Sequence, residues 1–197
     1  MGAETLLHAA KLHTSWLELP EAEVTPEVAD IFERTQERFG HVRNSQLVTA
    51  VNPHLAVAQD RLSHAVQRAP SISLSDLDRE LIAVVVSAQN RCAPCLFVHG
   101  AMLRDLTGDP VLVARLEIND RHVELSQRHR ALADYARKIT TAPEEIVAGD
   151  IDTLRSAGLT EREIFDAAAV AAYFNFSNRI NNALGIKPDI EAFQANR

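Results

Sequence analysis

The chain has 197 residues, of which 46% are hydrophobic, and a formal net charge of −7. This length suits one domain, or one domain with a helical extension. The negative charge argues against a nucleic-acid partner or an anionic membrane partner. No apolar stretch approaches the roughly 20 residues of a membrane span. The chain start lacks a basic segment followed by a signal-type apolar core, so we expect a cytoplasmic protein.

Helix-start and helix-stop signals follow one another along the chain and predict an all-α fold. Thr25, Pro26 and Glu27 open a helix that Gly40 ends. We predict the other helices over residues 3–12, 44–51, 53–68, 75–90, 94–106, 110–118, 125–140, 143–157 and 161–184. No alternating pattern typical of strands is longer than a few residues. We divide the chain into an N-terminal helical extension, residues 1–70, and a helical core, residues 71–197, packed as one unit.

The segment 78–99 carries the most chemistry in the sequence. It contains both cysteines of the chain, Cys92 and Cys95, in one C-x-x-C motif. His99 follows Cys95 by one helical turn, and Glu80 precedes Cys92 by twelve residues. The run LIAVVV at 81–86 is apolar on every side of a helix, so it must be buried. Two cysteines this close do not staple a secreted scaffold, and they are more typical of a cytoplasmic redox or metal pair.

The spacing of these residues predicts a reactive thiol. Pro94 suits the first turn of a helix, where free backbone N–H groups favour a thiolate, and Arg91 adds positive charge nearby. His99 lies on the same helix face as Cys95 and can accept its proton. Glu80 can reach His99 only if the chain folds back near Arg91 into an antiparallel hairpin. In such a hairpin we expect Glu80 and His99 to be offset by ~5 Å along the helix axes. A tilt of the helices, a long side chain or one bridging water would close this gap.

Less reactive interpretations remain open for each of these residues. The two cysteines, His99 and Glu80 would supply four ligands for zinc, although structural zinc sites usually use more thiolates. The cysteines could also be buried spectators, and Glu80 an ordinary first-turn acid. The asparagines at 175, 178, 181 and 182 are more typical of helix packing or of an interface than of catalysis.

The motif Glu-x11-Cys-x2-Cys-x3-His, formed by Glu80, Cys92, Cys95 and His99, resembles that of the alkylhydroperoxidase AhpD and carboxymuconolactone decarboxylase-like superfamily. The flanking segments DRELIAVVVSAQNRC, HGAMLRDLTGDP and AAYFNFSNRINNALG are similar to its peroxidase-related branch. The resemblance covers roughly residues 75–185. It implies an AhpD-like helical bundle.

The same resemblance implies a thiol peroxidase that needs no cofactor and no metal. Cys95 would attack a hydroperoxide, Cys92 would resolve the product to a disulfide, and Glu80 and His99 would relay protons. A dithiol reductant, protein or small molecule, would be the partner. The AhpD pattern has a further histidine just before the second cysteine, where this chain has Pro94. Two alternatives follow: a decarboxylase-type enzyme that uses only His99 and Glu80, or a non-catalytic redox-sensing module.

We also predict a homo-oligomer built from a dimer. The segments 81–86, 96–106 and 167–174 are apolar beyond what one packing face needs, and broad apolar faces left over usually become subunit contacts. The asparagine-rich run 175–182, beside Phe174 and Phe176, has the composition of an interface. Packing of one long helix within the chain is the alternative.

Overall fold

The computed structural model describes residues 14–19 and 24–196. Its helices are α1 (Pro26–Phe39), α2 (Asn44–Thr49), α3 (Pro53–Gln67), α4 (Asp76–Gln89), α5 (Ala93–Thr107), α6 (Pro110–Asn119), α7 (Gln127–Thr141), α8 (Ala148–Ser156), α9 (Glu161–Ala183) and α10 (Ile190–Gln194). Two 3₁₀ turns cover Asp120–His122 and Pro143–Glu145. No strand occurs in these described ranges, which confirms the predicted all-α class. None of their helices is long and apolar enough to cross a membrane.

Most helix boundaries follow the capping signals in the sequence. The Thr25 hydroxyl accepts a hydrogen bond from Val28 N–H at the start of α1, and Gly40 ends that helix at a φ of 76°. Ser75 opens α4 and Thr160 opens α9, each through a capping box. The helix predicted over 3–12 lies outside the described residues.

One predicted helix is wrong. The segment 143–157 is interrupted, because Ile146 and Val147 are extended between the second 3₁₀ turn and α8. The Asp150 carboxylate accepts a hydrogen bond from Val147 N–H at 2.8 Å, so α8 begins with a cap of its own. Two successive β-branched residues favour the extended backbone at this point.

Helix α4 is the centre of the core. It packs against α5, α6, α7 and α9, and Leu81 to Val86 are at most 3% exposed. Neighbours on every side explain why this helix is apolar around its whole circumference. Val170, Ala171 and Phe174 on α9 are covered within the chain in the same way. These faces therefore do not support the homo-oligomer that we predicted from them, which remains a prediction.

The N-terminal helices build a second, smaller apolar cluster. Val28, Ile31 and Phe32 on α1 pack with Val42 and Ala50. Helix α3 joins this cluster to the core, since it contacts both α1 and α9. The division of the chain at residue 70 remains a prediction.

Candidate active site

A tight turn between α4 and α5 positions the two cysteines. Arg91 has a left-handed backbone with a φ of 53°, a conformation that costs a non-glycine residue about 1 kcal/mol. Cys92 N–H donates to the Ser87 carbonyl at 2.9 Å and closes the end of α4. Cys92 is also the N-cap residue of α5, and Cys95 lies in the first turn of that helix after Pro94. The sequence prediction of a fold-back near Arg91 is confirmed.

The hairpin brings Glu80 and His99 into direct contact. Glu80 Oε2 lies 2.7 Å from His99 Nδ1, and each side chain is 12% exposed. The axial offset that we predicted is therefore closed by the two side chains themselves, which hydrogen-bond directly. The Phe174 ring meets the His99 ring edge-on, at 4.6 Å between centroids, and restricts its rotation. With Nδ1 engaged by the carboxylate, Nε2 is the nitrogen available for proton exchange.

Cys95, His99 and Glu80 line one cavity of about 430 Å³. Its core wall is formed by residues of α4, α5 and α9, including these three and Asn181. Its N-terminal wall is formed by residues of α1 to α3 and the turns between them, including Arg38, Arg43, Gln67 and Arg68. Cys95 borders this cavity and is 6% exposed, whereas Cys92 has no exposed surface.

Asn181 is the site residue that the sequence interpretation missed. Its Nδ2 group lies 3.2 Å from Cys95 Sγ and 3.8 Å from Cys92 Sγ, and the side chain is buried. An amide N–H aimed at both sulfurs stabilises negative charge on either. The available signal was the asparagine cluster itself, which we assigned to packing or to an interface.

The other asparagines fasten the turn to α9. Asn90 Nδ2 donates to the side-chain oxygens of Asn175 and Asn178, each at 3.0 Å. Asn178 Nδ2 donates to Ser87 Oγ at 3.2 Å, and Asn182 Nδ2 donates to the Asn90 carbonyl at 2.7 Å. The cluster is therefore helix packing within one chain, as one of our two interpretations predicted.

The two thiols differ in acidity. A hydrogen bond from Cys95 lowers the pKa of Cys92 to about 7, with help from Asn181 and Asn178 and against the effect of burial. The pKa of Cys95 is raised, because that thiol is held protonated by Cys92, is buried and would form its charge beside the Cys92 thiolate. One proton is thus lost near neutral pH and the second is retained. The thiol with the lowered pKa is not the one that borders the cavity.

The donor set does not form a metal centre. In the described part of the chain, no group of three or more His, Cys, Asp or Glu side chains is arranged to hold a metal ion. The four residues that we considered as zinc ligands divide into a Cys–Cys pair and a Glu–His pair.

The fold and the site together define a class of all-helical proteins in which a helix hairpin presents a dithiol beside a Glu–His pair. Residues 53–111 match the model of the carboxymuconolactone decarboxylase family. A peroxidase-related protein from Silicibacter sp. TM1040 is 38% identical, with a TM-score of 0.88 over 94% of this chain and 97% of that one.

A second solved structure, a peroxidase-related protein with an AhpD core from Ralstonia eutropha JMP134, is 31% identical, with a TM-score of 0.87 and the same coverage of 94% and 97%. The debrominase Bmp8, 20% identical with a TM-score of 0.72 over 92% of this chain and 94% of that one, shares the fold. No match was found among curated proteins. The chain belongs to the AhpD-like, carboxymuconolactone decarboxylase-like superfamily, in its peroxidase-related branch.

Proposed function

We propose that the protein is a thiol peroxidase that reduces hydroperoxides through a Cys92–Cys95 dithiol cycle. The observation that carries this proposal is the placement of Cys95 in one cavity with the hydrogen-bonded Glu80–His99 pair. A sulfur, a proton acceptor and a carboxylate that orients the acceptor are the groups that activate nucleophiles in other enzymes, and here all three line one cavity.

The first half of the cycle oxidises the thiols. The Cys95 thiolate attacks the terminal oxygen of the hydroperoxide, the O–O bond breaks, and the alcohol leaves with a proton supplied by His99. Cys95 is then a sulfenic acid. The Cys92 sulfur attacks it, a disulfide forms, and the sulfenic hydroxyl leaves as water. An external dithiol returns two electrons and two protons to the pair and is itself oxidised to a disulfide.

We assign the attack to Cys95 because this residue, and not Cys92, borders the cavity and has exposed surface. Cys92 has the lower pKa, so the proton must move from Cys95 to Cys92 before the attack. The hydrogen bond that joins the two thiols provides a direct path for that transfer. Asn181 Nδ2 lies nearer to Cys95 Sγ than to Cys92 Sγ and favours the thiolate at the attacking position.

Pro94 stands where the AhpD pattern has a histidine, so we propose a relay of two residues, Glu80 and His99. The short Glu80–His99 contact supports this reduced relay, because a carboxylate at 2.7 Å stabilises the imidazolium form of His99 without a third group.

Two matched variants test the cycle. The reduced protein is mixed with cumene hydroperoxide, free thiols are counted, and turnover is measured with dithiothreitol. Cys95→Ser should lose peroxide-dependent turnover. Cys92→Ser should react once and stop at a sulfenic acid that dimedone traps. Turnover of Cys95→Ser at the wild-type rate would disprove the proposal.

The second candidate is a decarboxylase-type activity that uses proton transfer alone. It is favoured by the match to the carboxymuconolactone decarboxylase family model over residues 53–111, which include both Glu80 and His99. Replacement of both cysteines by serine separates the candidates. Decarboxylation of a carboxylactone substrate that survives this double substitution would support the second candidate, and its loss would remove it.

A further inference from the structure

The N-terminal wall of the cavity carries three arginines that form no salt bridge with any carboxylate of the described residues. Arg38 and Arg43 both lie over the Phe39 ring, at 4.9 and 5.3 Å from its centroid. Arg43 Nε also donates to Gln46 Oε1 at 3.4 Å. Within residues 14–19 and 24–196, none of Arg38, Arg43 and Arg68 has a carboxylate oxygen within 4 Å. Burial and the charges of Arg38 and Arg43 lower the pKa of Arg68, and the charge of Asp60 offsets only part of this effect.

The carboxylates of the same cavity are largely engaged elsewhere. Asp60 pairs with Arg34 at 3.0 Å, Asp76 pairs with Arg79, and Glu80 is bonded to His99. Asp189 accepts a hydrogen bond from the Asn44 backbone N–H at 2.8 Å, and its charge also interacts with those of His41 and Arg43. The fifth carboxylate, Asp105, is exposed on α5. The three arginines therefore present positive charge to the cavity, in a chain whose net charge is −7.

Two glutamines in this wall have unpartnered polar atoms. Gln67 is 7% exposed, and its Nε2 group has no hydrogen-bond partner within the described residues. Gln59 Oε1 is buried and equally unpartnered. Both side chains line the cavity. Since a buried polar group without a partner costs about 1–3 kcal/mol, these atoms indicate a missing polar ligand.

A row of aromatic rings links the arginines to the proposed catalytic residues. Tyr173 lies close enough to Arg68 to influence its pKa. The Tyr173 ring meets the Phe174 ring at 5.3 Å, and Phe174 meets His99 at 4.6 Å. Val28, Ile31 and Phe32 add apolar surface to the opposite side. A molecule that spans the cavity thus meets cations at one end, apolar side chains along its length and Cys95 at the other end.

We propose that this cavity binds an organic anion, with its carboxylate or phosphate held by Arg38, Arg43, Arg68 and Gln67 and its apolar body directed toward Cys95. The guanidinium fork matches either head group, with two parallel N–H donors. Together with the peroxidase proposed above, on which this extension rests, the inference specifies the substrate as a hydroperoxide with an anionic group remote from the peroxide.

Calorimetry on the reduced protein tests the inference without any peroxide. The probes are octanoate, octyl phosphate and 1-octanol, which differ only in the head group. We expect at least one anion to bind about tenfold or more tightly than the alcohol, and to weaken as NaCl is raised while the alcohol does not. The tighter of the two anions identifies the head group. Equal binding of all three probes would overturn the inference.

A matched pair of variants locates the anion. Arg68→Gln should weaken binding of the anion about tenfold, whereas Arg61→Gln, on the helix that Arg68 follows and outside the cavity, should leave it unchanged. Arg43→Gln provides a second test if Arg68→Gln fails to fold. An equal loss from Arg61→Gln would also overturn the inference. Binding by a protein without peroxide turnover would disprove the proposed peroxidase while leaving the anion site intact.

Discussion

The two walls of the cavity are built in different ways. The core wall rests on α4, which is covered on every side, and its functional groups are paired with each other: Glu80 with His99, and Cys95 with Asn181. The N-terminal wall rests on a cluster of five buried apolar residues and presents arginines that form no salt bridge within the part of the chain that the structure describes. Paired groups in a rigid setting favour chemistry, and unpaired charges favour recognition. We therefore assign the proposed reaction to the core wall and the proposed binding to the N-terminal wall.

The largest expected effect comes from Glu80→Gln, on the core wall. The substitution keeps the size of the side chain and removes the charge that stabilises a protonated His99. We expect peroxide turnover to fall by about 10²- to 10⁴-fold, the usual contribution of general acid–base catalysis, with octanoate affinity unchanged. Steady-state kinetics and calorimetry measure the two quantities.

Asp105→Asn is the control for Glu80→Gln, because it neutralises an exposed carboxylate of the same cavity. We expect it to change turnover by no more than about twofold, since side chains that take no part in proton transfer contribute little to the barrier. A wild-type rate for Glu80→Gln would show that Glu80 has only a structural role in α4.

The next prediction concerns the free energy of unfolding. It compares the substitution of one isoleucine on α4 with that of one isoleucine in the N-terminal wall. Ile82 on α4 is fully buried, and Ile31 on α1 is 5% exposed and lines the cavity. Ile82→Ala should lower the free energy of unfolding by about 3–4 kcal/mol, because the closed core cannot relax into the space. Ile31→Ala should cost about half as much, because it enlarges a cavity that already exists.

Urea unfolding of both isoleucine variants gives the two free energies. The comparison of the walls would fail if Ile31→Ala were as destabilising as Ile82→Ala, since the N-terminal wall would then be as tightly built as the core.

The smallest effect concerns the pH dependence of the thiols. The pKa of Cys92 is about 7, and the proton that remains on the pair can exchange across the hydrogen bond between the two thiols, so alkylation of Cys95, the residue with exposed surface, by iodoacetamide should rise through neutral pH. The Asn181 N–H favours the charged form, and its removal in Asn181→Ala should raise this pKa by about one unit. The rate at pH 7 should then fall by up to about tenfold and recover at higher pH.

The matched control for this measurement is Asn182→Ala, which removes a donor to the Asn90 carbonyl rather than to sulfur. Its alkylation profile should keep the wild-type midpoint. An equal shift in both variants would mean that the turn, and not the contact with sulfur, sets the acidity of the thiols.

The sequence allowed the fold and half of the site to be predicted, for local reasons. Capping residues such as Thr25, Ser75 and Thr160 define helix starts within a few residues. The spacing of Glu80, Cys95 and His99 needs only helix geometry and one turn. The break at Ile146 and Val147 was missed, because two extended residues inside a helical pattern leave little trace in composition.

The other half of the site depends on tertiary packing. Asn181 reaches the sulfurs only because α9 packs along α4, across 86 residues of sequence. The arginines of the N-terminal wall belong to three separate segments, and nothing in their spacing relates them to Cys95. The different acidities of the two thiols likewise depend on contacts among Cys92, Cys95, Asn178 and Asn181 rather than on any one residue.

The complete burial of Cys92 has a consequence for the way in which a Cys92–Cys95 disulfide would be opened. An incoming thiolate can reach only a sulfur with exposed surface, and of the two residues Cys95 alone has any. Cys92 is then the departing sulfur. The charge that it acquires is stabilised by the hydrogen bonds from Asn181 and Asn178, which do not depend on a free Cys95 thiol, and a stabilised thiolate is the better leaving group. The burial that keeps Cys92 away from the hydroperoxide would thus give the reductive step of the proposed cycle a fixed direction.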